Sequence, residues 1–163
     1  MANCIIYGGG GFIGSHLCEE LLKQNYDVTF FDKINFSKDN LNHFKDKIKI
    51  IEGDFNNEFD LLNSLEGVDY IFHLVSSTLP ASSNDNPVYD VESNLISTLR
   101  LLQDVVKRNI KKIVFVSSGG TVYGVPEIIP IPENHPRQPI CSYGITKKTI
   151  EDYLYMFNYL YGI

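Results

Sequence analysis

Two absences narrow the reading of this sequence before any motif is considered. No apolar run approaches the ~18 residues that cross a bilayer, so a membrane partner is not expected. Basic residues are outnumbered, with 14 Lys and Arg against 20 Asp and Glu and a net charge of −6. A nucleic-acid surface needs massed positive charge to displace phosphate counterions, and Lys111-Lys112 and Lys147-Lys148 are pairs rather than patches. Cysteine is scarce. Cys4, Cys18 and Cys141 are odd in number and form no Cys-x-x-Cys, so neither a disulfide framework nor a zinc site follows. His16, His43 and His135 share no metal-ligand spacing, and no metal is expected. The first residues run into an apolar stretch without a basic leader, the pattern of a chain with no signal peptide. A reduced, cytoplasmic setting is the expectation.

What is present is ordinary for a globular protein: 44% hydrophobic and 21% charged over 163 residues. That length suffices for one domain burying about two-thirds of its extended-chain surface. Short β-branched runs alternate with segments of helical period. Strands are expected at residues 5–7, 28–31, 48–51, 68–74 and 112–116. Helices are expected at 12–24, from Pro87 through Val91, Leu95, Leu99, Leu102 and Val106, and from about 142 to 161. A loop holding Pro126, Pro130, Pro132, Pro136 and Pro139 precedes the last helix. This alternation predicts an α/β fold, a Rossmann-type doubly wound parallel sheet with helices on both faces. Ligands of such sheets lie at the carboxyl ends of the strands, where strand order reverses.

Between the first strand and the first helix stands Gly8-Gly9-Gly10-Gly11-Phe12-Ile13-Gly14. A dinucleotide loop needs glycine for a tight turn, for close approach to the pyrophosphate, and for packing of helix on strand. Backbone N–H groups at the helix start then meet the phosphate charge. Asp32 ends the next strand, 18 residues after Gly14. A carboxylate there accepts from the adenosine ribose and repels a 2′-phosphate, favouring NAD over NADP. Asp54 ends the third strand, where it serves either the adenine or a turn. No Lys-Ser/Thr follows the glycines, which excludes a Walker A loop.

Tyr143 and Lys147 are four residues apart and share one face at the start of the last helix. A phenol is a poor base at neutral pH. A neighbouring ammonium and an oxidised nicotinamide both favour the phenolate, so a lowered Tyr143 pKa is expected, suited to proton exchange with a sugar hydroxyl or carbonyl.

Together these pieces resemble an extended short-chain dehydrogenase/reductase of the nucleotide-sugar epimerase, dehydratase and reductase branch. The matching residues are the glycine segment through Ser15-His16-Leu17, Asp32, Gly53-Asp54, His73-Leu74, Asn94, Ser117-Ser118-Gly119-Gly120-Thr121-Val122-Tyr123-Gly124 and Tyr143-x-x-x-Lys147. They span the chain in the family's order. The resemblance implies that Tyr143 is the acid/base and that Lys147 holds the nicotinamide ribose and tunes it. It implies cofactor contacts from Gly8, Gly11, Phe12, Ile13, Gly14, Asp32, Ser37, Asp54 and Phe55. Leu74, Val75, Ser76, Asn94, Ser117, Tyr143 and Lys147 complete that set.

One position departs. The family's catalytic Ser or Thr aligns with Gly119, which has no hydroxyl, so Ser118 or Thr121 must supply one, and Ser118 is favoured. Dehydratases of the family carry an Asp-Glu pair where Gly120-Thr121 stands, which disfavours dehydration. The resemblance therefore implies an NAD-dependent nucleotide-sugar epimerase, a UDP-sugar 4-epimerase above others, acting through a transient keto sugar. A nucleotide-sugar reductase or dehydrogenase is the alternative, as is an NAD-binding module without turnover. Residues 1–163 are expected to form the NAD-binding domain, with the sugar-binding domain beyond it, and a homodimer is expected through the two long helices.

Overall fold

A computed structural model describes residues 1–37, 39–41 and 43–163. The chain divides into two compact units. One comprises Met1–Val75, Arg100–Val116 and Ile163, the other Ser76–Leu99 and Ser117–Gly162.

The first unit carries a five-stranded sheet of β1 (Asn3–Tyr7), β2 (Asp27–Asp32), β3 (Lys49–Glu52), β4 (Tyr70–His73) and β5 (Lys112–Phe115). Its order is β3-β2-β1-β4-β5 and every pairing is parallel. This is the Rossmann arrangement. Successive residues of β1 face opposite ways, as a strand requires, and the burial follows. Cys4 and Ile6 join Cys18 and Leu21 of α1 (Phe12–Lys23), with Val28 and Phe30. Ile5 and Tyr7 join Phe31, Ile71, Leu101 and Val105 on the other face. Tyr7 is fully buried against the edges of Phe31 and Phe55, and its hydroxyl meets that of Ser64 at 2.7 Å. Strand order reverses beside β1, which pairs with β2 on one side and β4 on the other. At that reversal Gly8 abuts the Leu74–Val75 backbone, 3.2 Å from where its Cβ would stand.

One element has no counterpart among the expected helices: α2 (Glu58–Ser64), whose first amides are capped by the Asn57 side chain. Only Leu61 and Ser64 of its seven residues are buried, too little apolar periodicity to register. The fourth strand is shorter than expected because Val68 and Asp69 precede its pairing.

The second unit opens on the segment after β4 and continues into α3 (Pro87–Asp90), a π-helical stretch (Val91–Ile96) and the start of α4 (Ser97–Val105). The expected apolar stripe is not the buried face here. Val91, Leu95 and Leu99 are half-buried, whereas Asp90, Ser93, Asn94, Ser97 and Thr98 are buried. Polar groups can occupy that face because they bond one another: Thr98 Oγ1 donates to the Asn94 carbonyl and Ser93 Oγ to that of Tyr89. The last helix, α5 (Ser142–Tyr161), ends on Gly162 in the left-handed region. In the proline-rich loop His135 accepts from Glu127 N–H at Nε2 and donates from Nδ1 to the Pro136 carbonyl.

Candidate active site

The first unit positions the glycine loop and its acidic partner. Gly8 turns the chain at φ 83, outside the range comfortable for a side chain. Gly14 is held against the loop itself, where a Cβ would stand 2.5 Å from the Gly8 carbonyl oxygen. Asp32 grips the loop directly: its Oδ2 accepts from Gly10 N–H and its Oδ1 from Lys33 N–H, each at 2.8 Å. No side chain caps α1 at Gly11, and its first turn holds no acidic residue. The positive end of the helix is thus left for an anion. Phe12 and Ile13 are exposed beside it.

The other expected contacts of this unit vary in what they offer. Asp54 is exposed, and its Oδ1 accepts from both amides of Asn56. The Phe55 ring is committed to the core between Tyr7 and His73. Ser37 Oγ donates to Asp39. Leu74 and Val75 follow β4 half-buried, the former bonded to the Tyr7 carbonyl.

The second unit brings Tyr143 and Lys147 together. Lys147 is buried, and its Nζ lies 5.6 Å from the centroid of the Tyr143 ring. The start of α5 is fastened by backbone donors, Tyr143 N–H to Ser83 Oγ at 3.0 Å and Ser142 N–H to Asn84 Oδ1 at 2.9 Å. Burial draws the Lys147 ammonium down from 10.5 to about 8, opposed by the Asp90 charge. The lowered Tyr143 pKa expected from the sequence is not what the protein groups produce. Burial raises it, the Asp90 charge adds to the rise, and only a hydrogen bond with Ser76 works downward. Desolvation penalises the phenolate more than this neighbourhood repays.

Of the two candidate hydroxyls, Thr121 Oγ1 donates to Ser118 Oγ at 2.7 Å, and Thr121 N–H donates to the same oxygen at 3.3 Å. Ser118 therefore keeps a hydrogen to donate, while that of Thr121 is spent. Gly119 has nothing within 4 Å of where a Cβ would stand. Ser117 is turned elsewhere, donating to Glu151, which also pairs with Arg137. Asn94 is buried and acts on the loop, its Oδ1 accepting from Ser77 N–H at 2.8 Å. A cavity of about 600 Å³ opens beside Thr121, lined also by Pro80, Asn84, Gly124, Ile140 and Cys141. That volume suits a small ligand.

Sequence reasoning passed over Asp90, Ser142 and Thr146, which are buried beside Tyr143 and Lys147 in the chain or in space. Their signal was available as hydroxyls flanking Tyr143 and an Asp four residues before Asn94. Among the described residues no group of three or more His, Cys, Asp and Glu side chains could hold a metal. None of the described helices is long and apolar enough to cross a membrane.

Residues 4–163 match the model of the NAD dependent epimerase/dehydratase family. A putative UDP-glucose 4-epimerase of Methanocaldococcus jannaschii is 38% identical over 160 residues, covering 98% of this chain and 52% of that protein. A UDP-glucose 4-epimerase of Thermotoga maritima, solved with UDP-glucose, superposes with a TM-score of 0.89 at 34% identity, over 99% of this chain and 52% of that one. The enzyme of Thermus thermophilus, solved with NAD, gives 0.90 at 28% identity, over 99% and 52%. The chain thus spans about half the length of the relatives it matches.

Proposed function

The chain belongs to the NAD dependent epimerase/dehydratase family, and from that premise we propose that it is the NAD-binding part of a UDP-sugar 4-epimerase. The observation that carries this reading is the buried Lys147 ammonium beside the Tyr143 ring, in a chain whose relatives over nearly its whole length are named UDP-glucose 4-epimerases.

The residues fit NAD. The uncapped start of α1 suits a pyrophosphate, and Gly14 is a position that a Cβ would fill. Asp32 offers carboxylate oxygens for ribose hydroxyls in competition with backbone amides. NAD, held by the glycine loop and Asp32, would supply reversible hydride acceptance at the sugar C4. Tyr143 holds the proton of the C4 hydroxyl between the two half-reactions. Lys147 orients the nicotinamide ribose and offsets charge on the phenol. Ser118 donates to the reacting sugar oxygen, with Thr121 keeping its acceptor sites occupied. The contribution of Gly8, Gly11, Phe12, Ile13, Ser37, Asp54, Phe55, Leu74, Val75, Ser76, Asn94 and Ser117 is to line or support the cofactor.

The whole protein works as a homodimer in a reducing, cytoplasmic setting. Support for the first is the exposed aromatic face of α5, with Tyr155 and Tyr159 at 76% and 81% exposure. Support for the second is that Cys4, Cys18 and Cys141 are free thiols.

The test is interconversion of UDP-glucose and UDP-galactose by the full-length protein with NAD. Tyr143→Phe should lower kcat by at least ~10²-fold, the usual worth of acid/base catalysis, with NAD still bound. Near-normal turnover in that variant removes Tyr143 from the reaction. Absence of turnover in the wild type with any UDP-sugar removes the assignment.

A further inference from the structure

Asp90 has no exposure to solvent, yet it is a carboxylate in a helix that offers it no cation at ion-pair distance among the described ion pairs. Burying such a group is costly unless hydrogen bonds replace its water. Here they do. Oδ2 accepts from Ser142 Oγ and Thr146 Oγ1, both at 2.7 Å. Oδ1 accepts from Thr78 Oγ1 and from Asn94 Nδ2, the latter at 3.2 Å. An acceptor-only group takes all four bonds at once.

The donors come from three separate stretches. Ser142 precedes Tyr143 and Thr146 precedes Lys147, so Asp90 fixes the first turn of α5 on both sides of the reactive tyrosine. Thr78 belongs to the segment that begins at Ser76, whose Oγ donates to the Thr78 carbonyl at 3.2 Å. Asn94 in turn fixes that segment through Ser77 N–H. One carboxylate therefore holds both the helix that carries the acid/base pair and the strip of Thr78.

We infer that Asp90 is a positioning residue for Tyr143 and Lys147, holding the first turn of α5 through Ser142 and Thr146 and the preceding strip through Thr78. This rests on the reading of Tyr143 and Lys147 as the reactive pair. The charge acts through space, and its direction is the same on both groups, raising each. The other charged groups on the packed elements are largely committed or exposed. Glu151 is held by Ser117 and Arg137, Lys148 by Asp152, and Glu92 faces solvent. The Cys141 thiol also bears on Tyr143, in the same sense as Asp90.

Asp90→Asn in the full-length protein keeps the shape and removes the charge, and hydroxyl donors can turn to suit the amide. The titration of Lys147 is read by carbon-13 NMR of methylated lysines, its signal assigned by its loss in Lys147→Arg. The midpoint should fall by about one pH unit. The kcat/KM profile should shift bodily to lower pH, because removal of the charge lowers Tyr143 and Lys147 together. A merely structural lesion lowers the profile without moving it. Should Asp90→Asn not fold, Ser142→Ala/Thr146→Val leaves the carboxylate with two donors fewer, and the Lys147 midpoint should rise. A midpoint unmoved in whichever folded variant is measured overturns the inference. The titration needs no turnover, so a protein that converts no UDP-sugar still tests Asp90, and an active one with an unmoved Lys147 overturns this inference alone.

Discussion

Gly14 sits against Gly8 so closely that a Cβ on the former would stand 2.5 Å from the carbonyl oxygen of the latter, and 2.7 Å from the Gly9 Cα. Both neighbours are backbone and cannot swing aside. Gly14→Ala must therefore open the loop or displace α1, at a cost of about 1–3 kcal/mol, the usual range for overpacking. The melting temperature should fall, and NAD affinity should fall further than stability alone explains. Calorimetry showing parental NAD affinity would mean that the loop does not carry the phosphates.

Asp32 serves the loop as well as any ligand. Asp32→Ala removes the acceptor for Gly10 N–H together with the one available to ribose hydroxyls. A hydrogen bond to a charged group is worth ~1.5–3 kcal/mol, roughly ten- to a hundredfold in affinity. NAD binding should weaken by that order, and the preference over NADP should narrow. A parent protein that binds NADP as well as NAD contradicts the role given to this carboxylate.

Lys147 sets a pH window for stability. Burial lowers its ammonium from 10.5 to about 8, so between those values the unfolded chain binds a proton that the folded chain has released. Stability rises with pH across the start of that window. The buried thiols then act in the opposite sense. Burial raises Cys4 from 9.0 to about 11 and Cys18 from 9.0 to about 12, so above 9.0 the unfolded chain sheds thiol protons that the folded chain keeps. Urea denaturation should find a rise between about 8 and 9 and a fall beyond it. Lys147→Met should abolish the rise and spare the fall. A wild-type curve with no rise in that interval argues against a buried ammonium.

The aromatic face of α5 gives a test of assembly. Tyr155, Tyr159 and Leu160 are 76%, 81% and 55% exposed. Introducing charge with Tyr155→Glu and Tyr159→Glu should convert a dimer of the full-length protein to monomer without loss of fold. Light scattering that finds the parent already monomeric at micromolar concentration removes the dimer.

The sheet was legible because its strands are runs such as Cys4-Ile5-Ile6-Tyr7, buried on both faces, and because Asp32 and the glycines punctuate them at fixed places. Tyr143 and Lys147 were legible by spacing. Three things were not. The helix Glu58–Ser64 is anchored by a single Asn57 cap and little apolar surface. The buried face around Asn94 is polar, and hydropathy cannot distinguish polar groups that satisfy one another from polar groups that face water. The direction of the Tyr143 shift depends on how much of the phenol is desolvated, a property of packing that no spacing of residues conveys.

The π-helical stretch Val91–Ile96 bears on that polar face. Asp90, Asn94 and Thr98 follow one another at intervals of four, and each such step overshoots a 3.6-residue turn by about 40°. In an uninterrupted α-helix this row would wind away around the axis. The wider i→i+5 turn takes part of the overshoot back, and along the row Thr98 bonds the Asn94 carbonyl while Asn94 bonds both the carbonyl and the carboxylate of Asp90. The site therefore depends on how many residues lie between 91 and 96 as well as on Asn94 itself. Shortening that stretch by one residue would wind the row out of phase and turn Asp90 away from Ser142 and Thr146, with every side chain of the site still present.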